Sequence, residues 1–280
     1  MTRFVEPRDL QEACAILADD EWGNKVISGG TALVLMMRQG LIAPSTLVSI
    51  GRIDDLDGIR KDDSRITIGA RTTHTAIAAS AEVQRWLPSL ADACSRVGNV
   101  RVRNVGTLGG NLAEADYAAD PPTVLVGLDA LCHVIGPHGA RVLPVADLAT
   151  GFYTTSLGPG EIITGVSVLI DEHRVSVYEK YVSRSSEDRP CVGVSATARY
   201  DGTSLDQLNV VVGAAVAVPR RFDEVTASAL GGTLDETARR DIAAAIGEAI
   251  DPIEDARGSA WYRRKVTAVL VKRALERVSR

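Results

Sequence analysis

The sequence predicts an α+β protein: a small β-turn-α-β unit, an α+β subdomain and a separate C-terminal unit. Three observations predict it. Glycine turns Ser28-Gly29-Gly30-Thr31 and Thr107-Leu108-Gly109-Gly110-Asn111 each read as sitting where a strand gives way to a helix or loop. Strands and helices alternate through the first 170 or so residues without a strict βαβ period. The last hundred or so residues instead read as β-rich segments followed by two amphipathic helices.

Asp9 is placed to cap a helix running through Ala13 and Leu17. Residues 25–28 then read as a short buried strand that ends in the first glycine turn. Residues 31–38 have the apolar density of a helix, which Gly40 stops, and 46–50 form the next strand. This order suggests a small parallel sheet with the first turn at a strand's C-terminal end, where ligands commonly bind. From Ile59 the pattern changes. Strands are expected over 65–69, 130–135 and 161–170, with helices over 73–80, 87–96 and 124–128 and a loop over 151–160. Three β-rich segments follow over 175–181, 191–200 and 208–216, with Asp201-Gly202 as a turn signal. Helices over 236–250 and 259–278 close the chain. The expected boundaries are 1–58, 59–172 and 173–280.

Each glycine turn alone also reads as a turn with an N-cap. Together they suggest two anion-binding nests gripping a ligand with two phosphates, such as a dinucleotide. Neither turn matches the Rossmann or Walker pattern, which disfavours those sites.

Composition sets outer limits. The chain has 280 residues, is 45% hydrophobic and carries net charge −5, which suits a globular protein and argues against nucleic-acid binding. The longest apolar run, Val210 to Val218, is too short to span a bilayer, so no integral membrane segment is expected. No signal peptide is evident near Glu6 and Asp9. Cys14, Cys94, Cys132 and Cys191 lack cluster or zinc spacing and read as buried apolar residues in a reducing cytoplasm. His74, His133, His138 and His173 form no helical pair, so no metal site is expected. Arg263, Arg264, Lys265, Lys272, Arg273 and Arg277 make the last helix basic, as a solvated face or a subunit contact.

Longer stretches around the turns carry a resemblance. Lys25-Val26-Ile27-Ser28-Gly29-Gly30-Thr31-Ala32-Leu33 resembles the first flavin loop of the FAD-binding subunits of molybdenum-containing hydroxylases. Arg103-Asn104-Val105-Gly106-Thr107-Leu108-Gly109-Gly110-Asn111-Leu112-Ala113 is similar to their second loop. Asp120, in Ala118-Ala119-Asp120-Pro121-Pro122, stands at the family aspartate. Asp255-Ala256-Arg257-Gly258-Ser259-Ala260-Trp261-Tyr262-Arg263-Arg264 resembles their C-terminal signature, so the likeness spans nearly the whole chain.

The resemblance implies the two-subdomain FAD-binding fold of the PCMH/vanillyl-alcohol-oxidase type, with a C-terminal three-stranded sheet and helices. It implies FAD held by Val26 to Leu33, by Thr107 to Asn111, and by Asp120 at the polar part of the flavin. Lys180 falls where some relatives place a lysine near the flavin, and Val97 and Ile163 would be apolar contacts. It implies an oxidoreductase of the xanthine or carbon monoxide dehydrogenase type with no catalytic acid–base residue of its own. Such a chain is the flavoprotein of a heterotrimer, beside a small [2Fe-2S] subunit and a large molybdopterin subunit, and passes electrons to an external acceptor. Two departures stand out: Tyr117 where proline is frequent, and Glu114 where a small residue or histidine is common. A self-contained FAD oxidase or dehydrogenase and a flavin-free assembly protein remain the alternatives.

Overall fold

The computed structural model describes residues 1–21 and 23–279. Asp9 caps the first helix by accepting the Glu12 amide at 2.8 Å. Strand β1 (Arg3–Val5), helix α1 (Leu10–Asp19), β2 (Asn24–Ile27), α2 (Leu33–Arg38) and β3 (Thr46–Ser49) form the first subdomain. Its sheet has the order β1-β3-β2, all parallel. The parallel pairing of 24–27 with 46–49 is as the sequence predicts; β1 is an addition. Three residues are too few to show an alternation, so β1 carries no readable period.

Next come β4 (Ile59–Lys61), β5 (Arg65–Gly69), α3 (His74–Ala79), α4 (Ala81–Trp86), α5 (Pro88–Ser95), α6 (Val100–Arg103), α7 (Leu108–Glu114) and α8 (Asp120–Gly127). After them run β6 (Leu131–Gly136), β7 (Gly139–Pro144), β8 (Ala149–Gly151), β9 (Thr154–Thr155) and β10 (Ile162–Leu169). β4-β5-β10-β6-β7 make one antiparallel sheet. Alternate residues Ile66, Ile68, Val166, Val168, Cys132 and Val134 enter a core shared with the helices. Two sequence-based expectations shift here. The stretch 151–160 is partly a hairpin, β8 pairing with β9. The helix expected over 124–128 starts four residues earlier, at Asp120, because Pro121 and Pro122 occupy its first turn, where missing N–H groups cost nothing.

The C-terminal unit comprises β11 (Arg174–Tyr181), β12 (Val192–Asp201), β13 (Ser204–Gly213), β14 (Arg220–Arg221), α9 (Asp223–Thr226), α10 (Glu236–Ala249) and α11 (Ala260–Val278). Its sheet has four strands in sequence order, one more than expected, because the two-residue β14 pairs with Val211 and Val212. α10 and α11 pack on one face through Ile242, Ile246, Leu270, Val271 and Leu275. α8 covers the other face, its Thr123 seated on Gly213, where a Cβ would clash with the hydroxyl.

Arg263 is no part of the solvated face or subunit contact expected of the basic residues of α11. Its side chain is fully buried, donating to the carbonyls of Ala214 and Gly258 and pairing with Asp255. The charge periodicity of a helix cannot reveal such a residue, because its partners come from distant loops. Arg264, Lys265, Arg273 and Arg277 are exposed, and Arg277 pairs with Glu179 at 2.6 Å.

Candidate functional site

The two glycine turns, far apart in sequence, meet in space. The first lies between the C-terminal end of β2 and α2, and Gly30 turns the chain with a φ of +67°. A Cβ at Gly29 would collide with the Val105 carbonyl oxygen, so only glycine lets the first turn touch the 105–106 bend. A Cβ at Gly106 would stand 3.5 Å from the Thr31 hydroxyl. Ser28 is half-buried and Thr31 exposed; Val26, Ile27, Ala32 and Leu33 are all half-buried around them.

The second turn follows the short helix α6 rather than the expected strand, because Asn99 caps a helical turn there, and it is the start of α7. Thr107 caps it, its Oγ1 accepting the Gly110 amide at 3.2 Å. The Leu108 and Gly109 amides donate to the Thr72 and Ala70 carbonyls at 3.0 and 2.8 Å. These backbone donors are therefore engaged within the protein, and the second turn is not an open nest of amides. Gly109 serves packing: a Cβ there would stand 2.6 Å from that of Ala70. The Leu108 side chain is wholly in the core. What the turn does offer is exposed Gly110, the Thr107 hydroxyl proton, and the Asn111 amide, whose Oδ1 is buried without a hydrogen-bond partner. A buried carbonyl oxygen left unpaired is costly, and a ligand donor would satisfy it.

Asp120 and Lys180 meet between α8 and β11. Asp120 stands in the first turn of α8 and Lys180 on β11, and their side chains are 5% and 2% exposed. Lys180 Nζ donates to Asp120 Oδ2 at 3.0 Å and to the Arg96 carbonyl at 2.8 Å. The Tyr178 hydroxyl donates to Asp120 Oδ1 at 2.8 Å. Burial pushes the Asp120 carboxyl up, against the pull of Lys180 and Tyr178. Sequence reasoning missed Tyr178. Its signal is the period of β11, since residues 178 and 180 share a face. Val97 is half-buried, its carbonyl accepting Arg103 Nη1 at 3.1 Å. Ile163 sits in the core of the second subdomain, opposite Val134.

A second cluster flanks the segment joining α7 to α8. The Tyr117 hydroxyl donates to Asp255 Oδ2 at 2.6 Å and accepts from Arg257 at 2.7 Å. Its ring meets Phe152 edge-on at 5.2 Å. Burial tends to raise the Asp255 carboxyl, but hydrogen bonds from Tyr117 and the Arg257 amide, together with Arg263, hold it at about 2. Asp116 pairs with Arg189 at 2.7 Å and accepts the Ala118 amide at 3.0 Å.

Glu114, at the end of α7, is raised to about 7 by burial and by Asp116, with Arg189 opposing. A carboxyl raised in the folded state contributes stability that is fully present below its ordinary value and lost as pH rises through 7. Glu114→Gln should therefore leave stability near pH 4.5 almost unchanged. Above pH 7 it should raise stability by roughly 1–3 kcal/mol. Urea unfolding of wild type and variant at both ends of this range checks it, and a pH-independent difference would refute the assignment.

Among the described residues, no helix is long and apolar enough to cross a membrane. Comparison with known proteins agrees with the architecture. A family described as the FAD binding domain in molybdopterin dehydrogenase matches residues 1–168. The CO dehydrogenase flavoprotein C-terminal domain matches 177–278. The chain is 34% identical to the 6-hydroxypseudooxynicotine dehydrogenase complex subunit alpha of Paenarthrobacter nicotinovorans, over 97% of this chain and 92% of that one. It is 30% identical to the glyceraldehyde dehydrogenase medium chain of Sulfolobus acidocaldarius, over 99% and 98% of the two chains. Among solved structures, a chain of the carbon monoxide dehydrogenase of Hydrogenophaga pseudoflava superimposes with a TM-score of 0.95. That match has 30% identity and covers 99% of this chain and 96% of that one.

Proposed function

We propose, from the premise that the chain belongs to the FAD-binding subunits of molybdopterin dehydrogenases, that it takes electrons from an iron–sulfur partner chain and hands them to an external acceptor. The family binds FAD, and its members are oxidoreductase components. The observation that carries the reading is the junction of the two turns, with Gly29 against the Val105 carbonyl, together with the unpaired Asn111 Oδ1 on the helix that the second turn opens.

The residues present fit that cofactor. The first turn would face the pyrophosphate, Gly30 supplying the bend and Ser28 and Thr31 their hydroxyls. Thr107 would donate from the other side, and the Asn111 oxygen would accept a hydrogen bond from a hydroxyl or ring N–H. The Asp120–Lys180 pair would fix the polar part of the flavin through its remaining lone pairs and protons. What FAD supplies is the exchange between one-electron and two-electron partners; the chain contributes binding, orientation and electrostatics. Substrate chemistry would belong to a large molybdopterin chain, in a heterotrimer working in the cytoplasm.

The test compares the FAD-loaded chain alone with the chain mixed with its iron–sulfur partner. With the partner chemically pre-reduced and desalted, flavin absorbance should bleach rapidly and recover on adding an artificial acceptor. The isolated chain should be reduced only slowly by aldehydes or aromatic heterocycles. Rapid reduction of the isolated chain by such a substrate would overturn this reading in favour of a self-contained FAD dehydrogenase.

A further inference from the structure

Tyr117 and Glu114, the two departures from the family pattern, stand in a cluster that the proposed function leaves unused. The chain is only 4% aromatic, yet three aromatic side chains meet here. Phe152 and Tyr153 form the tip of the β8–β9 hairpin and are 48% and 51% exposed. The Tyr117 ring meets Phe152 edge-on at 5.2 Å and Tyr153 edge-on at 6.2 Å. Edge-on contacts hold the rings together without stacking them, so a planar guest can lie against the exposed pair. A narrow apolar cleft lined by Leu112, Pro122, Val126 and Leu148 shares Asp116 and Tyr117 with this cluster. The backbone beneath is fixed in an uncommon conformation. Ala115 and Tyr153 have φ of +48° and +53°, and the Tyr153 amide donates to the Ala115 carbonyl at 3.1 Å. Left-handed residues other than glycine persist where their surroundings hold them, and they gather at ligand sites.

Charge says what kind of guest fits. Asp116 holds Arg189 at 2.7 Å, while Asp255 holds Arg257 at 2.9 Å and Arg263 at 2.5 Å. Arg257 also donates to the Tyr117 hydroxyl at 2.7 Å. Glu114 makes no ion pair of its own among the described residues, and Asp116 beside it already holds Arg189. Each of these arginines is therefore engaged by a carboxylate, and one carboxyl is left over. A phosphate is held by free cations or open backbone amides. The cluster has no arginine to spare for one, and Asp116 has already taken the Ala118 amide at 3.0 Å. An aromatic, charge-matched surface suits a planar ring without phosphates.

The chain ties this surface to the cradle. Residues 114–117 join the helix of Asn111 to Asp120, and the loop carrying Arg189 leaves β11 just after Lys180. The cluster thus adjoins the Asp120–Lys180 pair, assigned to the flavin, and not the Gly29–Val105 junction assigned to the pyrophosphate. We infer that the Tyr117–Phe152–Tyr153 cluster receives the external electron acceptor, and that this acceptor is an uncharged ring of the quinone class, not a pyridine dinucleotide. The inference rests on the proposed function and names the acceptor's chemical class. Two electrons and two protons would leave the reduced flavin, and the quinone would depart as the quinol.

The experiment titrates the full-length, oxidised, FAD-loaded chain by calorimetry with menadione, a quinone without phosphates, and with NAD. Menadione should bind saturably, one-to-one and at least tenfold more tightly than NAD. Phe152→Ala should weaken menadione binding tenfold or more, and Phe152→Tyr should restore most of it. Phe152 is exposed and lies outside the flavin cradle, so FAD content and thermal unfolding should match wild type. After anaerobic photoreduction, menadione should reoxidise the wild-type flavin. The concentration giving half the maximal rate should rise tenfold or more in Phe152→Ala. NAD binding as tightly as menadione would overturn the inference, as would unchanged menadione affinity or an unchanged half-rate concentration in Phe152→Ala. Loss of FAD from Phe152→Ala would show that the cofactor itself covers the cluster, and overturn it too. Failure of wild type to take up FAD would instead count against the proposed function.

Discussion

Asp120→Ala is expected to be among the most damaging single changes in this chain. It strands the Lys180 ammonium, 2% exposed, with the Arg96 carbonyl as its one remaining partner among the described residues, and leaves the Tyr178 hydroxyl without its acceptor. Breaking one side of a buried ion pair costs about 3–5 kcal/mol, because the remaining charge is uncompensated. Asp120→Asn keeps an acceptor for Tyr178 and should cost less. Removing both charges, as Asp120→Leu with Lys180→Met, should recover much of the loss, since an apolar replacement avoids the desolvation penalty. Urea unfolding of the flavin-free proteins orders the series. Flavin retention should fall in all three, because the proposed site uses this pair at the polar part of the flavin. Wild-type stability and flavin retention in Asp120→Ala would remove this pair from the account.

Gly29→Ala should separate flavin binding from overall stability. The new methyl runs into the Val105 carbonyl oxygen, a backbone atom that cannot rotate away. The two subdomains must then part where they meet, while their cores stay intact. A loss of roughly 1–3 kcal/mol in stability is expected from such overpacking, with a tenfold or greater loss in FAD affinity. Gly110→Ala is the contrast. Gly110 is exposed and a Cβ there meets only the Thr107 hydroxyl, at 2.9 Å, and alanine favours the helix it sits in. Its effect on stability should be small.

Much of this site was legible in the sequence because it rests on local chemistry. The first glycine turn after β2, capping residues such as Asp9 and Thr107, and the prolines after Asp120 each act within a few residues of themselves. The parallel pairing of 24–27 with 46–49 followed from the same local pattern. What stayed hidden depends on contacts between distant segments. The engagement of the Leu108 and Gly109 amides by Thr72 and Ala70 shows only once the turn after β5 lies beside α7. Arg263 looks like any other cation on a basic helix until Asp255 and the Ala214 carbonyl surround it. The Tyr117–Asp255 contact joins residues 138 positions apart, and no spacing rule reaches that far. β14 is two residues long, below any periodic signal.

The central claim is that a dinucleotide's pyrophosphate lies at the junction of the two turns. Titrating flavin-free wild type and Gly29→Ala with FAD and with FMN, by calorimetry, tests it most directly. FMN shares the flavin ring and ribityl chain but lacks the pyrophosphate. Wild type should bind FAD one-to-one and far more tightly than FMN, and Gly29→Ala should lose most of that preference. Equal affinity for the two flavins in wild type, or an undiminished FAD preference in Gly29→Ala, would contradict the claim.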